Sequence, residues 1–238
     1  MPSKFVRAGL VAMIAGGVIA FAGVGLAAEI VKPVPRPPHA AQPMTPLTKS
    51  SLPPPSASVQ PYGYGRIILF RGLMNIFSRG MDALEVEMKQ RGLPAKVYNH
   101  SAWEPTANAL IAEYKTNKNI APIIIVGHSL GADAAIIMAN WLALKGVPVS
   151  LVVTFDGVVE PSMMTAGTAQ VINYYKPHTF GQQVKATRGF RGTITNIDLT
   201  DHPEIEHLNI DKIQSLHDDT ILKVLEIMKK KPTVTAKG

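Results

Sequence analysis

A serine stands between two glycines at residues 127–131, which read Gly-His-Ser-Leu-Gly. The branched apolar residues Ile123 to Val126 precede it and predict a buried strand, and the alanine-rich residues Ala132 to Lys145 predict a helix. Glycines two positions before and two after Ser129 leave room for a sharp strand-to-helix turn. Such a turn raises the serine hydroxyl above the sheet beside a helix N-terminus, where it can attack a carbonyl carbon.

A serine nucleophile also needs a base and a carboxylate that orients the base. Asp156 directly follows the predicted strand Val149 to Phe155, and Gly157 stands behind it. Its carboxylate could therefore face the edge of the sheet where the serine lies. An aspartate at a strand end is also a common turn former, which is the competing interpretation.

With these residues the chain resembles the α/β-hydrolase superfamily, and its Gly-His-Ser-Leu-Gly turn is similar to those of lipase and thioesterase members. The resemblance spans residues 62–231. It implies an α/β-hydrolase-like fold and a serine hydrolase activity. It also implies the chain order serine, acid, histidine, with the acid and the histidine on loops after later strands.

The resemblance narrows the choice of acid. Members more often carry the acid after the next strand, yet residues 176–191 contain no acidic side chain. This absence favours Asp156 as the partner of the histidine. Asp198 and Asp201 are the alternatives.

The resemblance also narrows the choice of histidine, which members carry after the last strand and before the closing helix. His202, His207 and His217 fit that position. The spacing of His207 from the closing helix is the most similar to the family pattern, so His207 is the expected base. We expect His217 in the first turns of the helix, at a surface position, and His128 to point away from the serine.

The oxyanion of the reaction needs two N–H donors. One is expected from the backbone of Leu130, directly after the nucleophile. The resemblance places the second on the loop after the first strand, which reads Arg71-Gly72-Leu73-Met74-Asn75. Leu73 or its neighbour would donate there, although an ordinary glycine turn explains this loop equally well.

Around these residues, short apolar runs alternate with helical patterns, which indicates an α/β fold with a mostly parallel sheet and helices on both faces. The segment between Asp156 and Ala169 is short, so we expect no large lid. A short helix or loop is expected around Pro161 to Ala166. The predicted strands are 66–70, 95–99, 123–126, 149–155, 169–175 and 193–199, and the predicted helices are 78–91, 105–116, 132–145 and 213–230.

The ends of the chain differ in composition from this domain. Lys4 and Arg7 precede an uncharged, mostly apolar run from Ala8 to Ala28, so residues 1–28 are predicted to be a signal peptide or an N-terminal membrane anchor. Residues 29–61 are rich in proline and predict a disordered linker. Residues 232–238 are predicted to be a flexible tail.

Composition excludes several kinds of site. The chain of 238 residues has no cysteine, so it has neither disulfides nor thiolate metal ligands. The formal net charge is +7, without a basic stripe interleaved with aromatic residues, so we expect no nucleic-acid partner. The His and Asp residues between 198 and 219 match no ligand spacing, so neither a metal nor a cofactor is expected.

These observations predict an exported serine hydrolase that cleaves a carboxylic ester or thioester through an acyl-enzyme on Ser129. Its expected location is the periplasm, either free or anchored in the inner membrane through the N-terminal segment, or outside the cell. The expected partner is a small-molecule or lipid-like ester. The alternatives are a non-catalytic envelope scaffold that retains the fold and an acyltransferase with the same triad. The oligomeric state is left open.

Overall fold

The computed structural model describes residues 52, 54–55, 60–73, 78–159, 162–165 and 167–230. Six strands form one sheet in the order β2-β1-β3-β4-β6-β8, and each neighbouring pair is parallel. The sheet strands are β1 (Arg66–Arg71), β2 (Ala95–Asn99), β3 (Ile123–His128), β4 (Val149–Phe155), β6 (Thr168–Tyr175) and β8 (Thr193–Asp198). The helices are α1 (Gly80–Lys89), α2 (Trp103–Thr116), α3 (Leu130–Leu144) and α4 (Gln214–Lys229).

Helices cover both faces of the sheet, as the alternating pattern predicts. All six residues of the central strand β3 are buried. Side chains such as Leu69 and Val126 pack with α1 and α4 in one apolar core, whereas Phe70 and Ile125 pack with α2 and α3 in a second. Because successive strand residues point to opposite faces, uninterrupted apolar strands fill both cores at once.

The predicted elements agree with the structure to within two residues at each end, with one exception. Around Pro161 to Ala166, where a short helix or loop is expected, the structure contains the two-residue strand β5 (Met163–Met164). It pairs with β7 (Lys185–Ala186) in a separate small sheet. Two residues are too few to show a period of two, so neither strand is visible in the sequence pattern.

The predictions for the chain ends fall mostly outside the described residues. This applies to residues 1–28, to most of the proline-rich segment 29–61 and to residues 232–238. Leu52 is described and packs against the core of α1 and α4. Among the described helices, none has the length and apolar character needed to cross a membrane.

Candidate active site

The turn between β3 and α3 holds Ser129 in a strained backbone conformation, with φ +58° and ψ −128°. Such a conformation costs about 1–3 kcal/mol in a residue other than glycine. The two flanking glycines are needed for space: a Cβ on Gly127 would lie 2.0 Å from the carbonyl oxygen of Gly131, and one on Gly131 would lie 2.2 Å from that of Phe70. The turn is therefore as sharp as the spacing of the glycines indicates.

Three side chains form a continuous hydrogen-bonded row. Nε2 of His207 lies 3.1 Å from Oγ of Ser129, and Nδ1 of His207 lies 2.7 Å from Oδ2 of Asp156. The carboxylate only accepts, so Nδ1 carries the proton and the lone pair of Nε2 faces the serine hydroxyl. The ring is thus oriented to accept the serine proton.

Asp156 is fully buried and held at both oxygens. Its Oδ1 accepts the backbone N–H of Lys176 at 2.8 Å, while Oδ2 faces His207. A Cβ on Gly181 would lie 1.8 Å from Oδ1, so the chain after β6 packs directly against the carboxylate. These contacts fix the carboxylate, which in turn fixes the imidazole ring.

The alternative acids have other contacts. Asp198 accepts hydrogen bonds from Thr200 and from the hydroxyl of Tyr175, and Asp201 is exposed.

The alternative bases are also engaged elsewhere. His202 contacts Glu204, and His217 contacts Glu87 and the backbone carbonyl of Asp211. The expectation that His217 lies at the surface is wrong, since it is only 2% exposed. It faces the packed interior because the first turns of α4 lie against α1.

The two expected oxyanion donors belong to chain segments that adjoin the nucleophile. Leu130 is the first residue of α3, so its N–H has no acceptor within the helix. Gly72 packs against the nucleophile, because a Cβ on it would lie 2.9 Å from Cβ of Ser129. Leu73 follows with its side chain exposed, and residues 74–77 lie outside the described residues.

His128 has a role that the sequence analysis missed. Its Nε2 lies 2.8 Å from the backbone carbonyl of His207, and its Nδ1 lies 2.8 Å from Oγ of Ser78. Ser78 also accepts the backbone N–H of Gly72 at 2.8 Å. Burial lowers the pKa of His128 to about 4, so the ring is neutral near pH 7. Because the carbonyl only accepts, Nε2 carries the proton and Nδ1 accepts from Ser78.

Asp133 supports the loop after β4 from the first turn of α3. Its two oxygens accept the backbone N–H groups of Val158 and Val159, both at 3.2 Å. Burial raises the pKa of this carboxyl group. Asp133 also places an acidic group in the first turn of α3, near the positive end of the helix dipole.

Four exposed apolar side chains lie on loops that carry or contact the residues of the hydrogen-bonded row. Leu73 follows the glycine that packs on Ser129, Leu208 follows His207, and the ring centroid of Phe180 lies 4.7 Å from that of His207. Val159 lies on the loop held by Asp133. These four residues, here called the apolar rim, are each more than half exposed.

A separate cavity of about 530 Å³ lies beyond the ends of β6 and β8, lined by polar residues such as Gln183, Lys185 and Asp198. Its lining includes none of the three residues of the hydrogen-bonded row. Within the described residues, no group of three or more His, Asp or Glu side chains is arranged to hold a metal ion.

Comparison with known proteins gives one family match. Residues 69–205 match the model of the class 3 lipase family, a stretch that includes Ser129 and Asp156 and ends two residues before His207. No curated protein sequence matches the chain significantly.

Among solved structures, human thioesterase 2 is 12% identical, with 69% of this chain and 97% of that chain covered and a TM-score of 0.42. The type II thioesterase BorB from the borrelidin biosynthetic cluster is 11% identical, with 73% and 94% covered and a TM-score of 0.45. A cutinase-like protein from Cryptococcus sp. is 14% identical, with 76% and 98% covered and a TM-score of 0.43.

Proposed function

The chain belongs to the class 3 lipase family and is a serine hydrolase, and from that premise we propose that it cleaves carboxylic esters or thioesters with an apolar acyl group through an acyl-enzyme on Ser129. The observation that carries this proposal is the row Ser129–His207–Asp156, joined by contacts of 3.1 Å and 2.7 Å. A nucleophile, a base with its lone pair on the nucleophile, and a buried carboxylate behind the base are what acyl transfer requires.

The first half-reaction forms the acyl-enzyme. Oγ of Ser129 attacks the carbonyl carbon while its proton moves to Nε2 of His207, and Asp156 stabilises the resulting imidazolium. The negative oxygen of the tetrahedral intermediate accepts hydrogen bonds from the N–H groups of Leu130 and Leu73. The intermediate then collapses, the bond to the leaving oxygen or sulfur breaks, and the imidazolium gives its proton to the leaving group.

The second half-reaction repeats these steps with water as the nucleophile. His207 takes a proton from the water, the water oxygen attacks the acyl carbon, and the proton is returned to Oγ of Ser129 as the acid leaves. Because the ring of His207 is held through both Asp156 and its own backbone carbonyl, it starts each half-reaction from the same orientation.

The apolar rim supports an apolar acyl group in the substrate. Large apolar side chains that stay exposed around a catalytic residue indicate a surface used for binding. An acyl chain that covers Leu73, Phe180 or Leu208 would remove apolar area from water, which stabilises the complex by about 25 cal/mol per Å². The substrate class is therefore lipid-like or aryl esters rather than esters of short, polar acids.

The test is labelling of the purified protein with a fluorophosphonate probe, together with hydrolysis of aryl esters. We expect the wild type to be labelled on Ser129 and to release the aryl alcohol. Ser129→Ala should lose both properties while its thermal unfolding stays similar. Equal labelling of the two proteins, or an unlabelled and inactive but folded wild type, would instead favour the non-catalytic scaffold.

We further propose that the protein is exported from the cytoplasm. The support is the sequence of residues 1–28, in which Lys4 and Arg7 precede an uncharged apolar run. In a bacterial host, the full chain should appear in the periplasmic or membrane fraction. Lys4→Glu with Arg7→Glu should slow this export, and an unchanged cytoplasmic location of both proteins would contradict the proposal.

A further inference from the structure

His100 donates a hydrogen bond to the backbone next to the nucleophile. It directly follows β2, and its Nδ1 lies 3.2 Å from the carbonyl oxygen of Gly72, the residue that follows β1. A carbonyl oxygen can only accept, so Nδ1 of His100 carries the proton. This contact therefore holds the carbonyl end of the peptide that joins Gly72 to Leu73.

The order of the strands shows on which side this carbonyl lies. In the sheet, β1 stands between β2 and β3, so His100 approaches Gly72 from the side of β2. Ser129 follows β3 and therefore lies on the opposite side of Gly72. In a trans peptide, the carbonyl of one residue and the N–H of the next point in opposite directions. With the Gly72 carbonyl turned toward His100, the N–H of Leu73 is directed away from His100, which in the strand order is the side of β3.

A hydrogen bond to the Gly72 carbonyl matters because glycine has no Cβ to restrict its own backbone. Its own N–H is bound to Oγ of Ser78, a contact that fixes the preceding peptide but does not involve the Gly72–Leu73 peptide. If that peptide turned over, the carbonyl oxygen would face Ser129 in place of the N–H. A negative oxygen formed at the serine would then meet a carbonyl dipole of the wrong sign.

We infer that His100 is a positioning residue that keeps the N–H of Leu73 directed at Ser129, so that the second oxyanion donor is in place before substrate binds. The inference rests on the proposed function. His100 itself contacts neither the substrate nor the hydrogen-bonded row Ser129–His207–Asp156. The hydrogen bond from His100 should stabilise the transition state more than the bound substrate, since the ground-state ester carries little charge on its carbonyl oxygen.

The test compares three variants of His100 in aryl ester hydrolysis. His100→Ala and His100→Leu lack a donor, and Leu keeps most of the side-chain volume. His100→Asn keeps an N–H group near the position of Nδ1. Removing a whole oxyanion donor lowers kcat by about 10²–10³-fold. Because the peptide would still sample the correct orientation, we expect Ala and Leu to lower kcat by about 10- to 100-fold with KM within about twofold.

His100→Asn should recover most of the lost kcat, which a purely structural role would not produce. Thermal unfolding of each variant shows whether it is folded, and Leu replaces Ala if Ala is not. Full activity in a folded donor-free variant, or an equal loss in Asn, would overturn the inference and leave the proposed function intact. A wild type that neither hydrolyses esters nor reacts with the fluorophosphonate would overturn both.

Discussion

At the scale of single residues, His128 links the two loops that flank the nucleophile. One ring nitrogen donates to the backbone of His207, and the other accepts from Ser78, which holds the N–H of Gly72. The ring is 1% exposed, so water cannot replace either partner. The residue before Ser129 thereby links the backbone of His207 to the segment that begins at Gly72.

Replacing His128 by Phe should lower both stability and turnover. The carbonyl of His207 and the hydroxyl of Ser78 would lose their partner, at about 1–3 kcal/mol for each buried group. His128→Gln is the matched control, because its amide nitrogen lies near the position of Nε2 and can still donate to His207. Urea unfolding and kcat measure the two effects. Phe and Gln variants that match in kcat would contradict the assigned link to His207.

At the scale of elements, His217 joins α4 to α1. Its Nε2 donates to the carbonyl of Asp211 at 2.7 Å, and its Nδ1 lies 3.3 Å from Oε1 of Glu87. Burial by itself lowers the pKa of His217, but the hydrogen bonds to Glu87 and Asp211 outweigh it, so the pKa is raised. Burial by itself raises the pKa of Glu87. The hydrogen bond with His217 and the positive charge of that ring outweigh burial, so the pKa of Glu87 is lowered. With both nitrogens donating, the ring is a cation paired with Glu87.

This pair predicts a pH dependence of stability. A raised pKa in the folded state contributes stability that is complete below the unfolded pKa of about 6.5 and is lost as pH rises through the folded pKa. The contribution from Glu87 is complete above about pH 4.5 and is lost as pH falls. The pair should therefore stabilise the protein most between these values.

Chemical unfolding from pH 6.5 to 8.5 tests the His217 part. The free energy of unfolding of the wild type should fall more steeply than that of Glu87→Gln. Glu85→Gln is the control, because Glu85 lies on the same helix and pairs with the exposed Lys89. The neighbouring Asp211, whose pKa burial raises to about 6, is present in both proteins, so its titration contributes to both curves. Parallel curves for wild type and Glu87→Gln would contradict the prediction.

The sequence is enough to predict the sheet and its helices, because apolar strands and amphipathic helices carry strong local periods. Together with the family resemblance, it also favours Ser129, Asp156 and His207 over the other candidates, and the structure brings these three residues into contact. It does not reveal β5 and β7, which have two residues each.

The roles of His100 and His128 are also not visible in the sequence. The partner of His100 and one of the two partners of His128 are backbone carbonyls distant in the chain, and backbone groups leave no mark in residue types. The burial of His217 depends in the same way on the packing of α4 against α1, which a local pattern does not contain.

At the scale of the whole molecule, the exposed apolar side chains are unevenly placed. Four of the seven large ones among the described residues form the apolar rim around Ser129. Leu144 is a contrast. It is 72% exposed but lies at the last position of α3, at the opposite end of the helix from Ser129. A helix of 15 residues places it about 20 Å from the serine.

The rim should set the preference for acyl length. Val159→Ser with Leu208→Ser should lower kcat/KM for octanoyl aryl esters by about tenfold, because partial loss of one or two apolar contacts weakens binding by about 1–2 kcal/mol. Acetyl esters should be hydrolysed at an unchanged rate, since a two-carbon acyl group offers little apolar area for the rim to cover. Leu144→Ser should leave both rates unchanged. A rim variant with the same ratio of octanoyl to acetyl activity as the wild type would contradict this use of the rim.

The fully parallel pairing of the six-stranded sheet also bears on how the protein folds. Parallel neighbours cannot be joined by tight hairpins, so each pairing closes a long loop of chain, and such topologies fold slowly. Ser129 and His207 stand 78 residues apart, and three further strands of the main sheet lie between them in the chain. We therefore expect their contact to form only after most of the sheet has assembled. Reactivity of Ser129 with a fluorophosphonate during refolding should appear later than helical circular dichroism, and it would mark the arrival of the last long-range contacts.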